Sequence, residues 1–238
     1  MKTFSIPTNV TKLSDYCFEN CKELSEIKGL ENVKEFGNGC FLNCINLYKF
    51  EDTSFMYYKQ KTEYEMFTIF QKRQLYKWTG LKCSDIVFDS NVDDWTTSSL
   101  LSFRIIEKKQ LTFLIEDEDG EIFGYYFNTK IKNTSCTQQT DSKTFHFNLQ
   151  SQNNRLNQPM KFEIKDLKNG GIQLYDKNKE NDSIILGNIT LRKQNNNNES
   201  LCNQNQQHFN YHGIENALCG KTYPKTFIPK RILVIQMK

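Results

Sequence analysis

Residues 15–24, DYCFENCKEL, and residues 38–47, NGCFLNCINL, are nearly the same text written twice. Each holds a C-x3-C pair, so the cysteines at positions 17, 21, 40 and 44 first suggest a four-thiolate zinc site. The agreement does not stop at sulfur. Val10 matches Val33, Leu13 matches Phe36, Phe18 matches Phe41 and Asn20 matches Asn43. Leu24 matches Leu47 and Ile27 matches Phe50, always at an offset of 23 residues. A zinc site leaves all of these positions unexplained. Zinc modules also favour C-x2-C or C-x4-C knuckles with glycine or polar neighbours, whereas here Phe18 and Phe41 adjoin the thiols. The cysteines are therefore read as small core residues of a repeat, a place where free cysteine is common.

A period of 23 falls in the range of leucine-rich repeats, where apolar residues stack on the same position one coil later. Asn20 and Asn43 then suit an internal turn, because a short amide bonds the backbone there. The stretch IPTNVTKLSDYCFENCKEL (residues 6–24) resembles the BspA-like class of leucine-rich repeat, and the resemblance runs to about residue 50. Residues 1–50 are expected to form two such coils, with 51–63 connecting them to a second domain at 64–238. Two coils are fewer than a solenoid needs to bury its faces, so they are expected to dock on the second domain.

The composition narrows the function. A net charge of +3 with no Lys/Arg stripe argues against a nucleic-acid footprint. No apolar run approaches the roughly 18 residues of a membrane span. The N-terminal MKTFSIP lacks the apolar centre of a signal peptide, so the eight cysteines are expected to be reduced thiols in the cytoplasm.

Beyond residue 50 the pattern changes. Tyr64, Phe67, Phe70, Leu75 and Trp78 mark a helical stripe ending at Gly80. A strand is expected at 85–90 and a short helix at 98–108. Strands at 110–115 and 121–128 flank EDEDG, whose Asp-Gly is a hairpin signal. Further strands are expected at 144–149, 161–165, 171–175, 183–186 and 188–192. The apolar RILVIQM at 231–237 should be central in its sheet. Polar loops fill 132–143 and 150–159, and KQNNNNESLCNQNQQ at 193–207 reads as a mobile low-complexity insertion. The expected class is α+β, mostly an antiparallel β-sandwich with peripheral helices, preceded by two leucine-rich coils.

Five segments of this half, LYKWTG at 75–80, IVFDSNVDD at 86–94, EDGEIFGYYFNTKI at 118–131, KTFHFNLQ at 143–150 and FIPKRILVIQM at 227–237, resemble in their order the TLDc domain. The pattern departs at Tyr125, where the family's hairpin carries a second glycine, and at Leu186-Gly187-Asn188, a reduced glycine-rich stretch. The resemblance implies a non-enzymatic intracellular interaction protein. Its implied roles are in oxidative-stress protection and in binding the vacuolar proton-pumping ATPase.

Several other constellations could carry chemistry. CGKT at 219–222 lacks the glycine that a phosphate-binding loop needs at 215, which is Glu215. It is read as the end of a short helix at 214–219 capped by Gly220. Cys202, His208, His212 and Cys219 have ligand types that suit zinc, and they define the alternative, a zinc-binding regulatory protein. The acidic stretch 89–94 lacks the glycine and bidentate glutamate of an EF-hand loop, the one at 116–119 is explained by its hairpin, and both are read as solvated turns. Alternation places His146 opposite Phe145 and Phe147, on the solvated face of its strand. No catalytic or cofactor-binding residue is assigned, and a hydrolase would require a cleft with convergent polar groups and perturbed pKa values.

Overall fold

The computed structural model describes residues 2–37, 40–41, 44, 49–50, 69–95, 98–132, 137–152, 155–174, 182–192, 199–222 and 225–238. The chain divides into one unit of Met1–Ser84 with Lys238 and another of Asp85–Met237.

Five short strands open the first unit: β1 (Thr3–Ser5), β2 (Lys12–Leu13), β3 (Glu26–Lys28), β4 (Glu35–Phe36) and β5 (Lys49–Phe50). β1, β3 and β5 form one parallel sheet, and β2 with β4 forms another. The register is the sequence period made visible. Thr3 lies beside Glu26 and Glu26 beside Lys49, while Lys12 lies beside Glu35. Parallel neighbours 23 residues apart place equivalent apolar residues over one another. Ile6, Leu13, Leu24, Ile27, Leu30, Val33, Cys40, Phe41 and Cys44 form the buried core, with Phe4, Val10, Phe18 and Cys21 packed on it.

The Phe18 and Phe41 rings stack with centroids 5.4 Å apart and planes 11° from parallel. Asn20 takes the left-handed backbone at φ 59°, as an internal turn asks. One expectation is corrected: Cys17 is exposed, while Cys40 and Cys44 of the next turn are buried. Asn43 and Leu47 lie outside the described residues, as do Tyr64 and Phe67 of the helical stripe. Helix α1 spans Ile69–Thr79. It stops at Gly80, whose φ of +72° takes the chain out of the helix while its N–H bonds Tyr76 O.

The second unit holds β6 (Cys83–Asp89), α2 (Ser98–Ile105), β7 (Leu111–Asp117), β8 (Ile122–Phe127), β9 (Phe145–Gln150) and β10 (Met160–Glu163). It continues with β11 (Ile172–Leu174), β12 (Asp182–Leu186), β13 (Ile189–Arg192), β14 (Ser200–Cys202), β15 (Thr226–Phe227) and β16 (Pro229–Met237). Six strands form one sheet in the order β10-β9-β8-β7-β16-β6, and five form another in the order β11-β12-β13-β14-β15. The class is thus mostly antiparallel β with few helices, and sandwich-like. The apolar β16 runs between β7 and β6, a central place that its sequence called for.

Strand alternation assembles the interior. Phe113, Ile115, Phe123, Tyr125, Phe127, Ile232 and Val234 come from the larger sheet. Ile184, Leu186, Ile189, Leu191 and Phe227 join them from the smaller one. The Phe123 and Phe227 rings meet edge to face at 5.1 Å. Gly124 is forced by close approach, since a Cβ there would sit 1.9 Å from Phe113 O. Tyr125 turns inward and donates its hydroxyl to Gly170 O at 2.5 Å.

Three further expectations are corrected in this unit. Residues 193–198 of the Asn/Gln-rich segment lie outside the described residues, but Ser200–Cys202 of it are built into the sheet. β14 pairs with both β13 and β15, and Gln204 is buried. Residues 214–219 form turns rather than a helix. Finally, His146 is fully buried within the protein instead of solvated. Alternation correctly separates it from Phe145 and Phe147, but β9 is buried on both faces, so opposition to apolar residues does not mean water.

The acidic turn after β6 is a fastener. Arg231 on β16 grips Asp89, with Nε to Oδ1 at 3.0 Å and Nη2 to Oδ2 at 2.6 Å. Burial alone would push the Asp89 carboxyl up. The Arg231 hydrogen bonds and charge and the Asn91 N–H override it and hold the carboxyl below its ordinary range. Next to it, Asp93 accepts from the Asp89 N–H and from Arg104 of α2. Replacing one partner of such a pair strands the other charge. Arg231→Met should therefore lower the unfolding free energy by about 3 kcal/mol in urea titration. Asp89→Asn in the same background should restore a large part of that loss, whereas additive losses would show that the two side chains are not coupled.

Candidate functional site

The β7–β8 hairpin ends in the acidic run that the sequence marked as a turn. Asp117 Oδ1 accepts the N–H groups of Asp119 and Glu121, at 3.1 and 2.9 Å, and Gly120 supplies the positive φ of 81°. Asp117 is completely buried and its Oδ2 has no hydrogen-bond partner among the described residues. Burial pushes this carboxyl up, the Glu121 N–H works against that, and the charges of Glu118, Asp119 and Glu121 add to the rise. The result is about 7.

Around the hairpin tip lies a cleft of about 420 Å³ lined by Asp119, Glu121, Gln152, Arg155, Cys219, Gly220 and Lys221. Arg155 pairs with Glu121 and also donates to the carbonyls of Asn216 and Leu218. Asn148 Nδ2 bonds Glu121 Oε2 at 3.0 Å and Leu218 O at 2.9 Å. Gly220, at φ +78°, makes room for the ion pair. A Cβ there would crowd Glu121 Oε1 at 3.1 Å and Arg155 Nε at 3.2 Å. Lys221 reaches across to Glu118 and to Asp119. Burial works against the Lys221 charge, but these carboxylates outweigh it and raise its pKa. The lining therefore balances two cations against two carboxylates on a rigid hairpin. Such a cleft suits a small polar ligand that can both donate and accept hydrogen bonds.

A second polar group lies inside the unit. His146 Nε2 is 2.9 Å from Leu186 O, which can only accept, so this nitrogen carries the proton. Its Nδ1 then accepts from the Tyr211 hydroxyl at 2.8 Å. Asn188 Nδ2 donates to that hydroxyl, and Asn188 Oδ1 receives His208 Nδ1 at 2.8 Å. Burial drives His146 down to about 3, against the help of the Leu186 carbonyl. It is a neutral structural imidazole.

The residues singled out in the sequence meet in part. CGKT and the acidic run at 116–119, separate in the chain, form opposite walls of the cleft. Cys202 and Cys219 are both buried. The Cys202 thiol holds Cys219 below its ordinary pKa while burial raises Cys202. His208 instead bonds Asn188, and His212 is exposed. Among the described residues no three His, Cys, Asp or Glu side chains form a group able to hold a metal ion. Arg155, Gln152 and Asn148 escape sequence reasoning; they come from an unpatterned loop and a strand interior.

In the first unit, the side chains of β1 and β3 that alternate with the buried Ile27 and the half-buried Phe4 form a polar face. Thr3, Ser5 and Lys28 are exposed on it, and Thr3 Oγ1 donates to Glu26 Oε2 at 3.3 Å. Residues 1–99 match the family model of the BspA type leucine rich repeat region, which has six copies. The match runs past residue 50, where the visible 23-residue text ends. No curated protein matches the chain.

Two titrating groups of the second unit, His146 and Asp117, pull in opposite directions. His146 stays neutral when folded and binds a proton when unfolded, so its contribution to stability is lost as pH falls from 6.5 towards 3. Asp117 keeps its proton when folded, so its contribution is lost as pH rises from 3.8 to about 7. Asp117→Asn preserves the acceptor for the two turn N–H groups and removes the second slope. Above pH 7 this variant should be more stable than the parent by on the order of 1–2 kcal/mol. Between pH 6.5 and 4 it should lose stability with acid more steeply than the parent. Urea denaturation across pH 4–8 checks both, and parallel profiles would show that Asp117 is ionised normally.

Proposed function

We propose that this chain is a non-enzymatic protein-interaction module, two leucine-rich coils carried in front of a TLDc-like sandwich. The observation that carries the proposal is the parallel 23-residue ladder, in register over β1, β3 and β5, together with the match to BspA type repeats. Stacked repeats of this kind place alternate strand side chains on one continuous face, the surface solenoids use for partners. In this chain that face begins with Thr3, Ser5, Glu26 and Lys28, small or charged residues open to a polar partner. The antiparallel sandwich, the Asp-Gly hairpin and the central β16 agree with the order of TLDc segments. That resemblance supplies the partner to test first: subunits of the vacuolar proton-pumping ATPase, with a role in the oxidative-stress response and a cytoplasmic location.

The competing reading, small-molecule binding or hydrolysis in the cleft at the hairpin tip, rests on the convergence there of Glu121, Arg155, Lys221 and Cys219. Perturbed titratable groups gather at functional sites more often than elsewhere.

The partner hypothesis is open to direct test. The full chain, immobilised and exposed to native cytosolic and membrane extracts, should retain proton-pump subunits identified by mass spectrometry. Reversing charge on the sheet face with Glu26→Lys and Lys28→Glu should cut that recovery several-fold while leaving the fold intact by circular dichroism. Recovery of pump subunits at an unchanged level would move the interaction to another surface, and failure to recover them would remove the pump as partner.

A further inference from the structure

The cysteines that open the sequence do not all share one fate. Cys40 and Cys44 are buried, Cys21 is half-buried and Cys17 is exposed. Successive turns of the chain are locked together at this point. Phe18 N–H donates to Cys40 O at 2.7 Å, Cys44 Sγ donates to Phe18 O at 2.9 Å, and the Phe18 and Phe41 rings stack. The 23-residue register, the bond from Phe18 N–H to Cys40 O and the stack of Phe18 on Phe41 set Cys17 beside Cys40 on the successive turn, and the Cys17 sulfur adds to the rise of the Cys40 thiol. An accessible thiol therefore lies one turn away from a buried one at the matching position, whereas the thiol of Cys44 is committed to a carbonyl.

We propose that Cys17 and Cys40 are a redox pair whose disulfide staples the two successive turns of the first unit. Both are free thiols in this structure. The oxidant class is a low-molecular-weight disulfide such as oxidised glutathione. The exposed Cys17 thiolate attacks one sulfur of that disulfide, the reagent's S–S bond breaks, and one glutathione leaves as thiolate. The Cys40 thiolate then attacks Cys17 Sγ, forms the internal S–S bond and releases the second glutathione. Two protein thiols are oxidised, one external disulfide is reduced, and the two protons end on the released glutathione thiols. Burial raises the Cys40 thiol to about 12, with the Cys17 sulfur contributing, so the second step is slow at neutral pH and quickens in alkali.

The staple has a physical consequence specific to a short repeat. It closes the chain between positions 17 and 40, removing loop entropy from the unfolded state where few stacked turns exist to hold the unit together. Oxidation would thus stiffen the turns that carry the β1–β3 face.

The test uses the full chain with oxidised glutathione, near pH 8 and near pH 9. The expected product is lighter by about 2 Da, is reversed by dithiothreitol, and links tryptic peptides 13–22 and 35–49. Each peptide holds two cysteines, so substitution assigns the bond. Cys17→Ser, at an exposed position, should abolish the link, and Cys21→Ser and Cys44→Ser should each leave it. Cleavage between residues 17 and 40 in moderate urea should slow by on the order of ten- to a hundredfold on oxidation, the loop-closure effect. The proposal is overturned if the link survives Cys17→Ser, if Cys17 stops at a stable glutathione adduct at both pH values, or if no thiol is lost.

Discussion

Two hydrogen bonds, from the N–H groups of Asp119 and Glu121 to Asp117 Oδ1, fix the turn on which the larger sheet is built. With that turn set, β7 and β8 pair from Leu111 with Phe127 to Glu116 with Ile122 without interruption. β16 then lines up along β7 on one side and β9 along β8 on the other. Because the side-chain period is two, a slip of one residue would carry Phe113, Ile115, Phe123 and Tyr125 out of the shared interior. The turn sets the register, and the register sets the core. It also aims Glu121 at Arg155 and Glu118 at Lys221, so the fastening of the hairpin and the walls of the cleft are one arrangement.

The first unit depends on a different constraint. A parallel ladder has no hairpin to set its register, so the spacing along the chain must do so. The offset of 23 does this for the main chain of β1, β3 and β5, and for Leu13 beside Phe36. It also stacks Phe18 on Phe41 and brings Cys17 to Cys40. Every contact between one turn and the next is then a long-range contact of nearly the same span. Such a unit gains stability chiefly by adding turns, and a covalent link between adjacent turns acts on the same quantity.

These constraints decide how much of the molecule is legible in its sequence. The 23-residue repeat, the Asp-Gly turn, the stop at Gly80 and the central place of RILVIQM are local or periodic signals, and the fold carries each of them. His146 is misread from sequence because alternation separates two faces without saying which is wet, and β9 is buried on both. β14 is hidden because Ser200–Cys202 is short and sits in an Asn/Gln-rich text, yet it pairs on both sides. Half of the cleft is visible, as CGKT and the acidic run, but not their meeting, which spans more than a hundred residues. Arg155 carries no pattern at all: one long side chain from an irregular loop reaches Glu121 and two carbonyls.

The distribution of unmet polar groups separates the two polar regions of the second unit. In the interior chain from His146 through Tyr211 and Asn188 to His208, each side chain finds partners, and the neutral tautomer is fixed by Leu186 O. A fully paired network costs little and specifies one packing. At the cleft the balance differs. Of the five buried side-chain atoms without partners among the described residues, Asp117 Oδ2, Asn148 Oδ1 and Arg155 Nε belong to the cleft or to the residues directly behind it. Each such atom costs on the order of 1–3 kcal/mol. Stability alone would favour apolar replacements at these positions, or a histidine-like network with every partner in place. The unmet atoms are buried behind the hairpin's ion pair rather than presented on the surface of the cleft. The interior histidine chain thus specifies one packing of the unit, while the Asp117 hairpin holds its register at a cost in unpaired polar atoms.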